Sequence, residues 1–165
     1  IRLLALDVDG VLSDGRLFFA EDGQELKTFD TQDGHGIKML QSAGIEVAII
    51  TGRTTALVQR RAANLKIKHL LQGREDKLVA LKELITELGY ELEEVAYVGD
   101  DWPDLPAILA SGLGIAVANA HSELRTRADH VTTLTGGRGA VREVCDLLLH
   151  AQDRYSAALA PYLAI

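Results

Sequence analysis

LALDVDGVLSDG, residues 4–15, passes from an aliphatic run straight into Asp7, Asp9 and Asp14, with Gly10 and Gly15 between and after them. A short apolar run that ends in acid and glycine reads as a strand buried on both faces, delivering a polar loop to the edge of a parallel sheet. The pattern recurs down the chain. VAII (47–50) leads into Thr51, Gly52 and Arg53, and VAYV (95–98) leads into Gly99, Asp100 and Asp101. GIAVA (114–118) is a fourth run, and the weaker runs KHLL (68–71) and HVT (130–132) add two more. Between them lie segments of helical spacing: HGIKMLQSAG closing on Gly44, TTALVQRRAANL, EDKLVALKELITELG closing on Gly89, DLPAILASG, and GAVREVCDLLLHAQ. Strand and helix alternating at this rhythm predict an α/β fold, a doubly wound, Rossmann-like parallel sheet.

One segment departs from the rhythm. GRLFFAEDGQELKTFD (15–30) has two extended arms around Asp22-Gly23, which predicts a β-hairpin over about 16–30, projecting from the sheet after the first strand. The expected organisation is one domain over 1–150, then an Ala-rich tail, AQDRYSAALAPYLAI (151–165), interrupted by Pro161 and either mobile or docked on something else.

The 165 residues carry 47% hydrophobic and 25% charged residues and a net charge of −7. A chain this acidic has no general field to attract nucleic acid or an anionic membrane, although a local cluster of Arg and Lys can still hold a small anion. A single cysteine, Cys145, precludes an intrachain disulfide and sits where a core thiol on a helix is expected. With no leader pattern and no apolar run near membrane-spanning length, the expected location is cytoplasmic.

In open α/β sheets ligands bind beyond the carboxyl ends of the strands. Three strand ends bring Asp7 and Asp9, then Thr51, then Asp100 and Asp104 to one edge, and Lys77 sits near the start of a helix after the third, weaker strand, KHLL. Crowded carboxylates call for a cation, and oxygen-only ligands suit Mg²⁺. One carboxylate can attack phosphorus, a second can move protons, and a hydroxyl and an ammonium can hold phosphoryl oxygens.

DVDGV, ITGR, EDK and GDDWPD, in that order, resemble the four motifs of the haloacid dehalogenase-like phosphatases. The resemblance implies Asp7 as nucleophile, Asp9 as general acid/base and substrate contact, and Thr51 and Lys77 on the phosphoryl group. It further implies Mg²⁺ held by Asp7, the Asp9 carbonyl and Asp100, with Asp104 in support and Asp101 a second candidate for that outer role. Only 44 positions separate Asp7 from Thr51 and 26 separate Thr51 from Lys77, so neither interval accommodates a cap domain. A capless site is open to water and must act on a macromolecule or be closed by another subunit, and an exposed hairpin favours the second.

Within the superfamily the chain resembles a family of tetrameric capless members, the 3-deoxy-D-manno-octulosonate 8-phosphate phosphatases of lipopolysaccharide biosynthesis. KTFDTQDGHGIKML and GGRGAVREVCDLLL carry the likeness beyond the phosphatase motifs. It implies a small anionic sugar-phosphate substrate and a homotetramer. It also implies contacts to the sugar acid from Asp30, Thr31, Gln32, Asp33 and Gly34, anion contacts from Arg53 and Arg61, and a tail that reaches a neighbour's site. Lys38 stands where the family has arginine, so charge is kept and the bidentate fork is lost.

Blander readings apply elsewhere. Asp14 before Gly15 suits a turn, Arg60 a solvated helix face, and His69, His121, His130 and His150 no metal pattern. His35 shows nothing by its spacing. TGGRGA (135–140) is either an anion cradle or a helix-entry turn. Two other functions share the core chemistry: a phosphatase of a nine-carbon ulosonate phosphate, and a receiver domain that stores an aspartyl phosphate as a signal. The early position of Asp7, with Asp9 placed for turnover, argues against the receiver.

Overall fold

The computed structural model describes residues 1–164. The first strand, β1 (Leu3–Leu6), is followed by a hairpin of β2 (Phe18–Phe19) and β3 (Glu25–Leu26). Then come α1 (Thr31–Ser42), β4 (Glu46–Thr51), α2 (Ala56–Leu65), β5 (His69–Gln72), α3 (Lys77–Leu88) and β6 (Val95–Gly99). The chain continues through α4 (Leu105–Ala110), β7 (Leu113–Ala116), α5 (Ser122–Arg125), β8 (His130–Val131), α6 (Ala140–Ala151) and α7 (Tyr155–Leu163).

Six strands form one parallel sheet in the order β5-β4-β1-β6-β7-β8, the doubly wound arrangement expected from the sequence. From β1 the chain winds outward through β4 and β5, then returns to β6 and winds the other way. The crevice at that reversal, beside β1 and β6, is where such sheets bind ligands. Leu3, Leu4, Ala5 and Leu6 are wholly buried, as are Val95 to Val98, because helices cover both faces. Helix α1 packs on α6 and α2, while α3 packs on α4. No cap interrupts this frame: only the hairpin and α1 lie between β1 and β4. Among the described residues, no helix is long and apolar enough to cross a membrane.

One expectation needs correction. The hairpin is shorter than 16–30: Phe18 pairs with Leu26 and Phe19 with Glu25 only. Its tip turns at Asp22-Gly23, as expected. The Gly23 amide donates to the Ala20 carbonyl and Ala20 to Gln24, with Gly23 at φ 82, a turn that ends in a left-handed glycine. Within the tail, Tyr155–Leu163 form a helix, α7. Tyr155 stacks on His150 at 3.9 Å and Tyr162 meets the edge of His35 at 5.5 Å, so α7 rests against α6 and α1.

Candidate active site

The site is built by loops at the carboxyl end of the sheet. Asp7 directly follows β1, and its amide donates to the Val98 carbonyl at 3.1 Å, so the first loop residue is still fastened to β6. Its side chain is almost wholly enclosed. The loop then turns at Gly10, where φ is 90 and a Cβ would stand 2.0 Å from Oδ2 of Asp100. Glycine therefore serves twice here, allowing the turn and making room for the carboxylate of the fourth strand's loop. Behind it lies TGGRG: a Cβ on Gly136 would come 1.6 Å from the Gly10 carbonyl, and the Gly137 amide donates to the Val11 carbonyl at 2.8 Å. The glycine cluster is thus a wedge that backs the Asp7–Val11 loop and then starts α6.

Lys77, the first residue of α3, is the central cation. Its Nζ lies 2.9 Å from Oδ2 of Asp7 and 2.6 Å from Oδ1 of Asp104. Asp104 is fully engaged: Oδ1 also accepts from the Tyr97 hydroxyl at 2.9 Å, and Oδ2 accepts from the amides of Asp100 and Asp101 at 3.1 and 3.3 Å. It is fitted to organise the loop rather than to offer a free ligand atom. Oxygens of Asp7, Asp100 and Asp104 all lie within 4.8 Å of one another. Burial, with the Asp104 charge adding to it, raises the Asp100 carboxyl to about 7. Burial and Asp104 likewise push Asp7 up, against the pull of Lys77. Burial alone would lower Lys77, but Asp7 and Asp104 outweigh it and hold the ammonium firmly protonated. Three carboxylates around one ammonium leave the cluster two positive charges short, the deficit a divalent ion fills.

Thr51, buried at the end of β4, joins Asp7, Asp9, Lys77 and Asp100 around a cavity of about 290 Å³. Arg53 lies on its rim and is held by Glu25 of the hairpin at 2.7 Å. Lys27, from the same arm of the hairpin, forms an ion pair with Asp9. Neither hairpin residue stood out in the sequence, although a Glu and a Lys on either side of Leu26 in an extended arm alternate with it and so gave a usable signal. The hydroxyl of Tyr97 on Asp104 was also missed, because Tyr97 reads as an ordinary core aromatic.

The other expected substrate contacts do not line this chain's own cavity. Asp30 caps α1, its carboxylate accepting from the amides of Gln32 and Asp33 at 2.6 and 3.2 Å. Asp33 is wholly buried and accepts from the Arg142 amide at 2.8 Å, tying α1 to the start of α6. Burial raises it to about 6. Arg61 donates to the Asp30 carbonyl at 2.7 Å, and Gly34 is bare because a Cβ would stand 2.6 Å from that guanidinium. Thr31 and Gln32 are exposed at the head of α1, and Lys38 is exposed two turns further down. Lys38 opens instead on two wider clefts of about 610 and 490 Å³ that flank α1 and contain no carboxylate cluster.

Residues 69–143 match the model of the haloacid dehalogenase-like hydrolase family. The chain is 55% identical, over 96% of its own length and 84% of the relative's, to the 3-deoxy-D-manno-octulosonate 8-phosphate phosphatase KdsC of Escherichia coli K12. Among solved structures it is similar to the 3-deoxy-D-manno-octulosonate 8-phosphate phosphatase of Moraxella catarrhalis, determined with a magnesium ion, a phosphate ion and KDO. That match has a TM-score of 0.97 at 51% identity and covers 98% of this chain and 93% of the other. The Yersinia pestis phosphatase of the same name matches at a TM-score of 0.92 and 54% identity, over 94% of this chain and 84% of that one.

Proposed function

Because this chain belongs to the haloacid dehalogenase-like hydrolases, in the family of the 3-deoxy-D-manno-octulosonate 8-phosphate phosphatases, we propose that its site hydrolyses the phosphomonoester of that sugar acid through an aspartyl phosphate on Asp7. The observation that carries the reading is the enclosure of Asp7 beside Lys77 and Asp100 at the carboxyl end of β1. An enclosed carboxylate that keeps one ammonium neighbour stays nucleophilic without being exposed to bulk water.

In this reading Lys77 and Thr51 hold the phosphoryl oxygens while an oxygen of Asp7 attacks phosphorus. Asp9 passes a proton to the bridging oxygen as the P–O bond to the sugar breaks. The same carboxylate then takes a proton from water, which attacks phosphorus and releases Asp7. Asp7, Asp100 and the Asp9 carbonyl would hold Mg²⁺, and Asp104 would support them by fixing Lys77 and the Asp100–Asp101 amides. The bound ion supplies positive charge that neutralises the phosphoryl oxygens and the clustered carboxylates.

Phosphate release from 3-deoxy-D-manno-octulosonate 8-phosphate, run beside its nine-carbon analogue with and without Mg²⁺, tests the assignment. Metal-dependent preference for the eight-carbon ester is expected. Equal or better turnover of the analogue would keep the chemistry and discard the substrate.

The proton balance gives a second prediction. Asp100 titrates near 7 in the fold and near the ordinary carboxylate value when unfolded, so its neutral form favours folding. That contribution is complete below the unfolded value and is lost as pH rises through 7; Asp33, at about 6, acts with the same sign. Metal-free protein is therefore expected to melt at a lower temperature at pH 8 than at pH 5.5. Mg²⁺ must displace the proton on Asp100, so its affinity is expected to drop roughly tenfold from pH 8 to pH 6, with protons released on binding. Calorimetric titration in two buffers of different ionisation enthalpy reads both. Affinity independent of pH would contradict the raised carboxyl.

A homotetramer is the assembly we propose. Supporting it are the open cavity, the exposed Phe18, Phe19 and Leu26 of the hairpin, and the placement of Asp30, Thr31, Gln32, Lys38 and Arg61 away from the chain's own site. In an assembly, those residues of one subunit can face the cavity of another.

A further inference from the structure

The second arm of the hairpin is spent on the site. Glu25, in β3, and Lys27, just beyond its end, flank Leu26 and both reach the site, while Leu26 itself is exposed. Glu25 clasps Arg53 and Lys27 pairs with Asp9 through Oδ1. The Lys27 side chain is 0% exposed, and Asp9 is its one ion-pair partner among the described residues. A lysine on a short projecting hairpin would ordinarily run its stem along the surface and keep its ammonium in water. Enclosing that charge costs several kcal/mol unless it is paired. A hairpin that needed only to project, or only to meet another hairpin, would have no use for it.

The pairing has a geometric consequence for Asp9. This carboxylate hangs on a loop between Val8 and Gly10, lines the cavity, and has no hydrogen bond from within the loop to fix its rotation. With Oδ1 held by Lys27, Oδ2 is the oxygen left for the substrate. The ammonium also keeps Asp9 from swinging toward Asp7, Asp100 and Asp104, where a cation must sit.

We infer that Lys27 is a positioning residue for proton transfer: by holding Oδ1 of Asp9 it presents Oδ2 to the bridging oxygen of the ester. The inference rests on Asp9 being the acid/base of the proposed reaction. The proton on Oδ2 goes to the leaving oxygen as the bond from phosphorus to that oxygen breaks and the Asp7–phosphorus bond forms. In the second step a proton from water returns to Oδ2 as the water oxygen bonds to phosphorus and Asp7 leaves. Lys27 takes no part in the proton's path.

The test compares two esters with Mg²⁺ present: the sugar-acid phosphate, whose alkoxide must be protonated to leave, and p-nitrophenyl phosphate, whose phenolate leaves without help. The ratio of their kcat/KM values covers every step through departure of the alcohol and isolates the need for that proton. Lys27→Met is expected to depress the alkyl ester by about a hundredfold and to shift the ratio by at least about tenfold. Lys27→Arg should recover most of the ratio, and Asp22→Ala, which removes the carboxylate that accepts from the Gln24 amide and so loosens the tip of the same hairpin away from the cavity, should leave the ratio at the wild-type value. Asp9→Asn should shift the ratio as Lys27→Met does, and the double variant should go no further. Equal losses on both esters, or a ratio shifted as much by Asp22→Ala, would reduce Lys27 to hairpin packing and overturn the inference. Failure of the underlying reading looks different: wild-type protein would then hydrolyse neither ester in the presence of Mg²⁺.

Discussion

Asp7→Asn is expected to lower phosphate release by roughly ten-thousandfold or more, the loss seen when a covalent nucleophile is removed from machinery that acts as a unit. The amide nearly matches the carboxylate in volume, and Asp7 is 5% exposed in a packed loop, so the fold has no reason to rearrange. Its backbone amide still meets the Val98 carbonyl, and Lys77 keeps Asp104. What disappears is the lone pair that attacks phosphorus. Acid quenching during turnover should therefore trap phosphoryl-protein in the wild type and none in the variant. Residual turnover above about one per cent would mean that another group attacks, since general acid and phosphate clamp alone give far smaller accelerations. A phosphoryl-protein that forms in the wild type and persists for minutes would move the protein from hydrolase to switch.

The sheet was legible because each of its strands is a short, nearly uninterrupted apolar run bounded by polar loop residues. The pattern located even β8, which the structure reduces to His130 and Val131. The core of the site was legible for a related reason. Asp7, Thr51 and Asp100 each stand at or just beyond the end of a buried strand, so the fold alone brings them to one edge. Contacts between residues far apart in sequence were not legible. Asp33 meets the Arg142 amide across 109 positions, and Arg61 reaches the Asp30 carbonyl across 31. Both serve to seat the head of α1, a use for charged groups that no local pattern announces. The helix in the tail was not legible because Pro161 reads as a breaker, whereas α7 carries it and is seated by His150 and His35. Lys27 escaped notice because a lysine on a hairpin is ordinarily a solvated charge, and only the way the arm folds back over Asp9 makes it otherwise.

Lys77→Met separates the two duties that one ammonium performs. Its side chain is 5% exposed and its charge lies between Asp7 and Asp104, so methionine fills the volume and leaves two enclosed carboxylates without their cation. Breaking a buried pair from one side costs about 3–5 kcal/mol when the orphaned charge must stay charged. Here Asp7 has an escape, because burial already pushes it upward, as it does Asp100, and loss of Lys77 removes the main side-chain charge holding both down. At pH 5.5 Asp7 and Asp100 can take up protons and part of the loss should vanish; at pH 8 the loss should be close to full. Urea denaturation of wild type and variant at both values is expected to show that difference, with Mg²⁺ restoring part of the stability at pH 8 by supplying the missing charge. Activity should not follow stability. A metal ion cannot replace an ammonium that grips the phosphoryl group from the α3 side, so turnover should remain down by about a hundred to a thousandfold under conditions where the variant is fully folded. Equal destabilisation at both pH values would mean that Lys77 acts through packing alone. Recovery of turnover together with stability would mean that its charge serves the fold and not the phosphate.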